Sequence, residues 1–134
     1  MRKLLLALLI LPLLASGCIN QSFIEEETFM SVTIVNESTI PMYGFEIEYE
    51  DGLAGVSNAD ESPMKKGEEL TIEFAEENDW IYNDYDFSFF LYIDKNGELY
   101  DLQQVFSLEI VENRDHRFRL VGETLEEARL QLID

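Results

Sequence analysis

Hydrophobic and polar positions alternate with a period of two through most of the chain after residue 28. Met30, Val32 and Ile34 are separated by Ser31 and Thr33, and Tyr43, Phe45, Ile47 and Tyr49 by Gly44, Glu46 and Glu48. Leu70, Ile72 and Phe74 alternate with Thr71 and Glu73, Phe106, Leu108 and Ile110 with Ser107 and Glu109, and Phe118 and Leu120 with Arg117 and Arg119. Such a period sends one set of side chains to a core and the other to solvent, so each run is expected to be a half-buried strand. Phe87 to Ile93 is apolar on both faces and is expected to be a central strand.

Turn-forming clusters separate these runs: Asn36-Glu37-Ser38, Glu50-Asp51-Gly52, Ser57-Asn58-Ala59-Asp60, Lys65-Lys66-Gly67, Asn96-Gly97 and Glu112-Asn113-Arg114-Asp115. Asn96-Gly97 predicts a two-residue hairpin, because type I′ turns need positive φ at both central positions. The end carries two signals. Thr124-Leu125-Glu126-Glu127 reads as a capping box opening a short helix, whereas Ala128, Leu130 and Leu132 alternate with Arg129 and Gln131 as a strand would; the strand is favoured. Closely spaced strands with such turns predict an all-β, antiparallel sandwich of roughly 7 to 9 strands over residues 29–134.

The order of these features has a further implication. A strand ending in Val35-Asn36-Glu37-Ser38, a second strand, a loop, then Lys66-Gly67-Glu68 leading into Leu70-Thr71-Ile72-Glu73-Phe74, resembles the immunoglobulin-like modules of bacterial surface lipoproteins. The resemblance covers about residues 29 to 74. It implies an immunoglobulin-like sandwich that acts as a binding or spacer unit, and fold alone fixes no ligand.

Composition changes this picture chiefly through charge. The 134 residues carry 28 acidic and 9 basic side chains, a formal net charge of -19. All of the acidic residues follow position 18, so loss of Arg2 and Lys3 with the first 17 residues would move the net charge by two, to -21. Nucleic acid is therefore not expected as a partner. Hydrophobic residues at 46% exceed what an acidic disordered tail carries, so the chain should fold, and its length allows one domain and one core. Lysine occurs only at Lys3, Lys65, Lys66 and Lys95, and the imbalance reads as adaptation of an exposed surface to a salty or alkaline medium.

Residues 1–17 have the three parts of an export signal: the basic Met1-Arg2-Lys3, an apolar run from Leu4 to Leu14 broken by Pro12, and the small residues Ala15, Ser16 and Gly17. The run is too short to span a bilayer comfortably. Leu14-Ala15-Ser16-Gly17-Cys18 resembles the lipobox of bacterial lipoproteins, with Ala15 where Leu is commonest. The resemblance implies cleavage before Cys18, a diacylglycerol on its thiol, and an N-acyl chain such as palmitate on its amine. Each buried methylene contributes about 0.8 kcal/mol, and stable anchoring takes two chains. The domain would then face outward from a bacterial cell membrane, on the cell surface or the periplasmic side. Residues 18–28 would form the lipidated N-terminus and a flexible tether, and a 10-residue tether reaches roughly 15 to 20 Å on average. As the sole cysteine, Cys18 would be committed to attachment, leaving no disulfide and no catalytic thiol.

Candidate chemistry elsewhere is sparse. His116, the one histidine, is expected at a strand rim, and a general base would need a partner within hydrogen-bond reach. No zinc-type spacing such as His-Glu-x-x-His is present, so the domain is expected to be non-enzymatic and without a bound cofactor. Arg114, Arg117 and Arg119 form a basic cluster in which the outward pair Arg117 and Arg119 is expected to face Glu109 across a hairpin, with an anion or partner-docking patch as the alternative. Asp94, Asn96 and Glu98 alternate oxygen donors but belong to a hairpin, and Asn36-Glu37-Ser38, a glycosylation acceptor by pattern, reads as a turn.

The richer segment runs from Glu76 to Asp86. Glu76, Glu77, Asp79, Asp84 and Asp86 crowd hard oxygens that could hold Ca²⁺, against the alternative of a solvated acidic loop. Trp80, Tyr82 and Tyr85 are interleaved with Asn and Asp, a pattern suited to a cell-wall glycan or an envelope-protein partner, against packing beneath the end of the sandwich. The expected role is thus a membrane-anchored binding or envelope-structural module, with a calcium-dependent module and a glycan binder as the alternatives.

Overall fold

A computed structural model describes residues 28–50, 52–75 and 84–133. Eight strands lie among them: β1 (Thr28–Asn36), β2 (Gly44–Tyr49), β3 (Gly52–Ser57), β4 (Glu69–Ala75), β5 (Asp84–Tyr92), β6 (Leu99–Glu109), β7 (Arg114–Val121) and β8 (Arg129–Leu132). They form two four-stranded sheets, one in the order β4-β1-β7-β8 and the other β3-β2-β5-β6. The architecture is all-β and sandwich-like. β5 lies between β2 and β6, the interior place expected from its apolar faces.

The alternation in the sequence becomes the two faces of each sheet. Val32, Ile34, Phe118 and Leu120 from the first sheet meet Phe45, Ile47, Phe87, Phe89 and Leu91 from the second in one buried cluster. Aromatic rings join the sheets: Phe89 and Phe118 have centroids 5.0 Å apart, Tyr49 and Phe74 5.9 Å, and Phe74 and Phe87 6.4 Å. Tilted and edge-to-face pairs at these distances suit the ring quadrupoles.

One pairing departs from the expected antiparallel arrangement. β1 and β7 run parallel, with Val32 opposite His116 and Ile34 opposite Phe118. The cause is the route of the chain, which leaves β6 in one sheet and enters β7 in the other instead of turning back as a hairpin. Asn113, at φ +62°, makes that corner, and its N–H donates to the Phe29 carbonyl at 2.7 Å. A crossing between sheets frees the new strand to run alongside β1 in the same direction, which a two-residue hairpin forbids. The expected facing of Arg117 and Arg119 with Glu109 is therefore not formed; only Arg114 reaches Glu109, at 3.4 Å.

The turns carry their own corrections. Asn96-Gly97 is not a two-residue type I′ turn: Gly97 has φ +83°, and Asn96 is not among the residues with positive φ. Instead the Asp94 carboxylate accepts the backbone N–H groups of Asn96 and Glu98, both at 2.9 Å, which stabilises a longer loop. Asn36, expected in a turn, is instead the buried last residue of β1, and its side chain braces the bend that follows. Its Nδ2 donates to the Met64 carbonyl at 3.1 Å and its Oδ1 accepts from the Ser38 N–H at 3.0 Å and hydroxyl at 2.6 Å.

At the end of the chain both readings are partly realised. Leu125–Glu127 is a single 3₁₀ turn, without a capping bond from the Thr124 side chain, and β8 follows from Arg129. β8 is held to the other sheet by Gln104. A register shift opposite Ser88 and Phe90 accommodates extra residues in β6, with Gln103 at φ +56°. Gln104 then accepts from the Leu130 N–H at 2.6 Å and donates to its carbonyl at 3.2 Å. The side-chain amide thus continues the hydrogen bonding of a strand edge across the side of the sandwich.

Candidate functional site

Of the candidate residues, Cys18, Glu76, Glu77, Asp79, Trp80 and Tyr82 lie outside the described residues. Asp84 and Asp86 sit at the start of β5 on its exposed face, opposite Glu109 and Ser107 of β6. Tyr85 is half-buried and packs against the core cluster. Strand parity separates them, since adjacent side chains point to opposite faces. Among the described residues, no group of three or more His, Cys, Asp or Glu side chains could hold a metal ion.

His116 is not at the rim. Its parity with Phe118 and Leu120 carries it into the core, where it is 2% exposed. Its Nε2 lies 2.9 Å from the Glu109 carbonyl. A carbonyl only accepts, so Nε2–H is the donor and the ring ties β7 to the end of β6.

The arginines are drawn into a polar lattice on the outer face of the first sheet. Arg117 bonds Glu69 at 2.5 Å and Asp115 at 3.1 Å, and these two carboxylates raise its already high pKa further. Asp115 Oδ1 also accepts from the hydroxyls of Ser31 and Thr33, both at 2.9 Å, while the Thr33 and Thr71 hydroxyls are 2.8 Å apart. Thr33 is only 1% exposed, so burial strengthens the need for these bonds. Arg119 donates to Gln131 at 2.7 Å and lies 3.8 Å from Glu37. The charges of Arg117 and Arg119 thus serve the sheet.

A groove at one end of the second sheet holds the remaining concentration of polar and aromatic groups. Its volume is about 340 Å³, and Tyr43, Tyr92, Asn58, Glu61, Asp94 and Asn96 are among the residues that line it. Tyr92 is its central feature. A Cβ built on Gly44 would lie 2.9 Å from Tyr92 Cδ2, and one built on Gly55 would lie 2.7 Å from its hydroxyl. The phenol therefore crosses from β5 over side-chain-free backbone on β2 and β3. Its hydroxyl donates to Glu46 Oε2 at 2.8 Å.

The walls are tied down as well. Tyr43 N–H donates to the Tyr92 carbonyl at 2.8 Å, and Asn58 N–H to the Tyr43 carbonyl at 2.9 Å. The Asn58 side chain donates to the Ser62 carbonyl at 3.1 Å. This groove was missed in the sequence, although Gly44 and Gly55 within otherwise alternating runs are the kind of signal that marks a close approach.

Burial, then the hydrogen bond to Glu46 and the charge of that carboxylate, push the Tyr92 hydroxyl up to about 12 from the ordinary 10.0. A raised folded-state value means that the associated stabilisation is fully present below pH 10 and disappears as pH rises through about 12. Ultraviolet phenolate titration should therefore resolve a late-ionising tyrosine that Tyr92→Phe removes. The same variant should lose less stability between neutral pH and pH 12 than the parent. Retention of the late transition in Tyr92→Phe would contradict the assignment.

The chain matches no family model, and neither the curated proteins nor the solved structures contain a match to it.

Proposed function

We propose that this protein is a lipid-anchored, outward-facing bacterial membrane lipoprotein whose domain is a non-enzymatic binding or envelope-structural module. The observation that carries the reading is Leu14-Ala15-Ser16-Gly17-Cys18, placed after a basic start and a short apolar run. Residues 1–17 are the cleaved signal, and Cys18 bears the diacylglycerol and N-acyl lipid. β1 begins at Thr28, so the intervening residues suffice for the tether. The two acyl chains of the diacylglycerol already suffice to hold the domain at the membrane face, and the acidic surface opposes its aggregation there.

An immunoglobulin-like identity for the sandwich draws support from strand order. The sheet β3-β2-β5-β6 has the order C′-C-F-G, and the β1–β4 pair corresponds to B–E. In this reading β7 takes the place of strand A beside β1, in parallel, and β8 extends that sheet. The non-enzymatic reading draws support from His116, whose ring is enclosed by the core and engaged by the Glu109 carbonyl.

The test is attachment. Wild-type protein should partition with membranes and carry the added mass of lipid, while Cys18→Ser should lose that mass and leave the membrane fraction or retain its leader. Intact mass spectrometry after detergent extraction reads both. A Cys18-bearing product without lipid mass would overturn the proposal.

A further inference from the structure

We propose that the groove beside Tyr92 binds a neutral carbohydrate, with a sugar ring stacked on the face of Tyr92 that is turned from the glycine floor. This inference rests on the binding-module reading above and names its ligand class. The first argument is the platform. Gly44 and Gly55 let the phenol lie against backbone, and Glu46 holds its hydroxyl, so one ring face is braced before any ligand arrives. A ring fixed in this way loses little conformational freedom on binding, and pre-organisation of this kind favours affinity. The apolar C–H face of a pyranose is the complement of an aromatic face.

The second argument is the rim. Tyr43, Asn58, Glu61, Asp94, Lys95 and Asn96 surround the platform with hydroxyl, amide, carboxylate and ammonium groups. Asp94 Oδ1 is occupied by two backbone N–H groups, which fix the carboxylate while its second oxygen has no partner among the described residues. Hydroxyl groups both donate and accept, so a polyol can satisfy such a mixed set. An apolar ligand would leave the rim unpaired at a cost of about 1–3 kcal/mol per buried group. An anionic polymer would meet Glu61 and Asp94, with Lys95 as the sole cation lining the groove, on a chain of net charge -19. A volume of about 340 Å³ suits one or two sugar units and is small for a folded partner.

Titration calorimetry on the full-length protein, extracted in a polyoxyethylene detergent so that no sugar headgroup competes, tests the proposal. The probes are cellotetraose, maltotetraose and chitotetraose, with tetra-alanine as a peptide of comparable length. At least one tetrasaccharide should bind with Kd of roughly 0.1–1 mM, and tetra-alanine should not. Tyr92→Ala and Asn96→Ala should each weaken binding, the first by about tenfold or more. Tyr92→Phe should retain most of it, because the ring remains over the glycines.

Asn96 is an exposed loop residue, so its variant reports on the groove even where Tyr92→Ala loses fold. No heat from any tetrasaccharide, equal binding by Asn96→Ala and the parent, or preference for tetra-alanine would overturn the inference. A lipidated chain that binds no sugar defeats this inference alone. A sugar-binding chain without lipid defeats only the anchor.

Discussion

Phe118→Ala should lower unfolding free energy by about 3–5 kcal/mol, the range for truncating a fully buried phenylalanine. Phe118 is fully buried on β7 and joins the two sheets, with Phe89 at 5.0 Å and Phe106 at 4.9 Å between ring centroids. Truncation removes transfer free energy and leaves a cavity that two hydrogen-bonded sheets cannot readily close. It also ends the tilted ring contacts across the core. A domain of this size has only about 5–15 kcal/mol of stability, so the loss is a large share of the total. Urea unfolding followed by circular dichroism measures it, and Phe118→Leu should fall between the variant and the parent. An unchanged midpoint for Phe118→Ala would contradict the placement of that ring between the sheets.

Gly44→Ala should cost roughly 1–3 kcal/mol, through overpacking rather than a cavity. The added Cβ would lie 2.2 Å from the Val56 carbonyl oxygen and 2.7 Å from Ser57 Cα. Both atoms are backbone of β3, so no rotamer change relieves the contact; β2 and β3 must separate. Gly55→Ala is the informative contrast. Its added Cβ meets the Tyr92 hydroxyl at 2.7 Å, the far end of a side chain, while the nearest backbone atom is 3.6 Å away. Gly55→Ala should therefore displace Tyr92 from the groove with a smaller change in melting temperature than Gly44→Ala. Equal melting temperatures for Gly44→Ala and the parent would contradict the close approach of the strands.

Much of the strand content could be read from the chain because parity is a local property. Phe45 and Ile47 are buried and Glu48 is exposed for the same reason: successive residues of a strand face opposite ways. The same rule carries Tyr85 toward the core and leaves Asp84 and Asp86 outside. Parity also placed His116 with Phe118 and Leu120, but it did not reveal whether that end of β7 was covered. Burial there depends on β6 ending close enough for the Glu109 carbonyl to accept the imidazole N–H. Arg117 pairs with Glu69, 48 residues away in the chain, because β6 and β7, neighbours in sequence, lie in different sheets.

The order of residues is enough to specify the strand-rich character, the apolar set that fills the core, and the acidic surface. It also supplied the Cys18 motif on which the proposed anchor rests, because a processing signal is read along an extended chain and needs no fold. Tertiary structure alone decided that β7 runs parallel to β1, that Gln104 bridges to Leu130, and that Tyr92 lies across Gly44 and Gly55. Each of these depends on residues distant in sequence whose separation in space is set by sheet pairing. Periodicity specifies which way a side chain points; only the folded topology specifies what it meets.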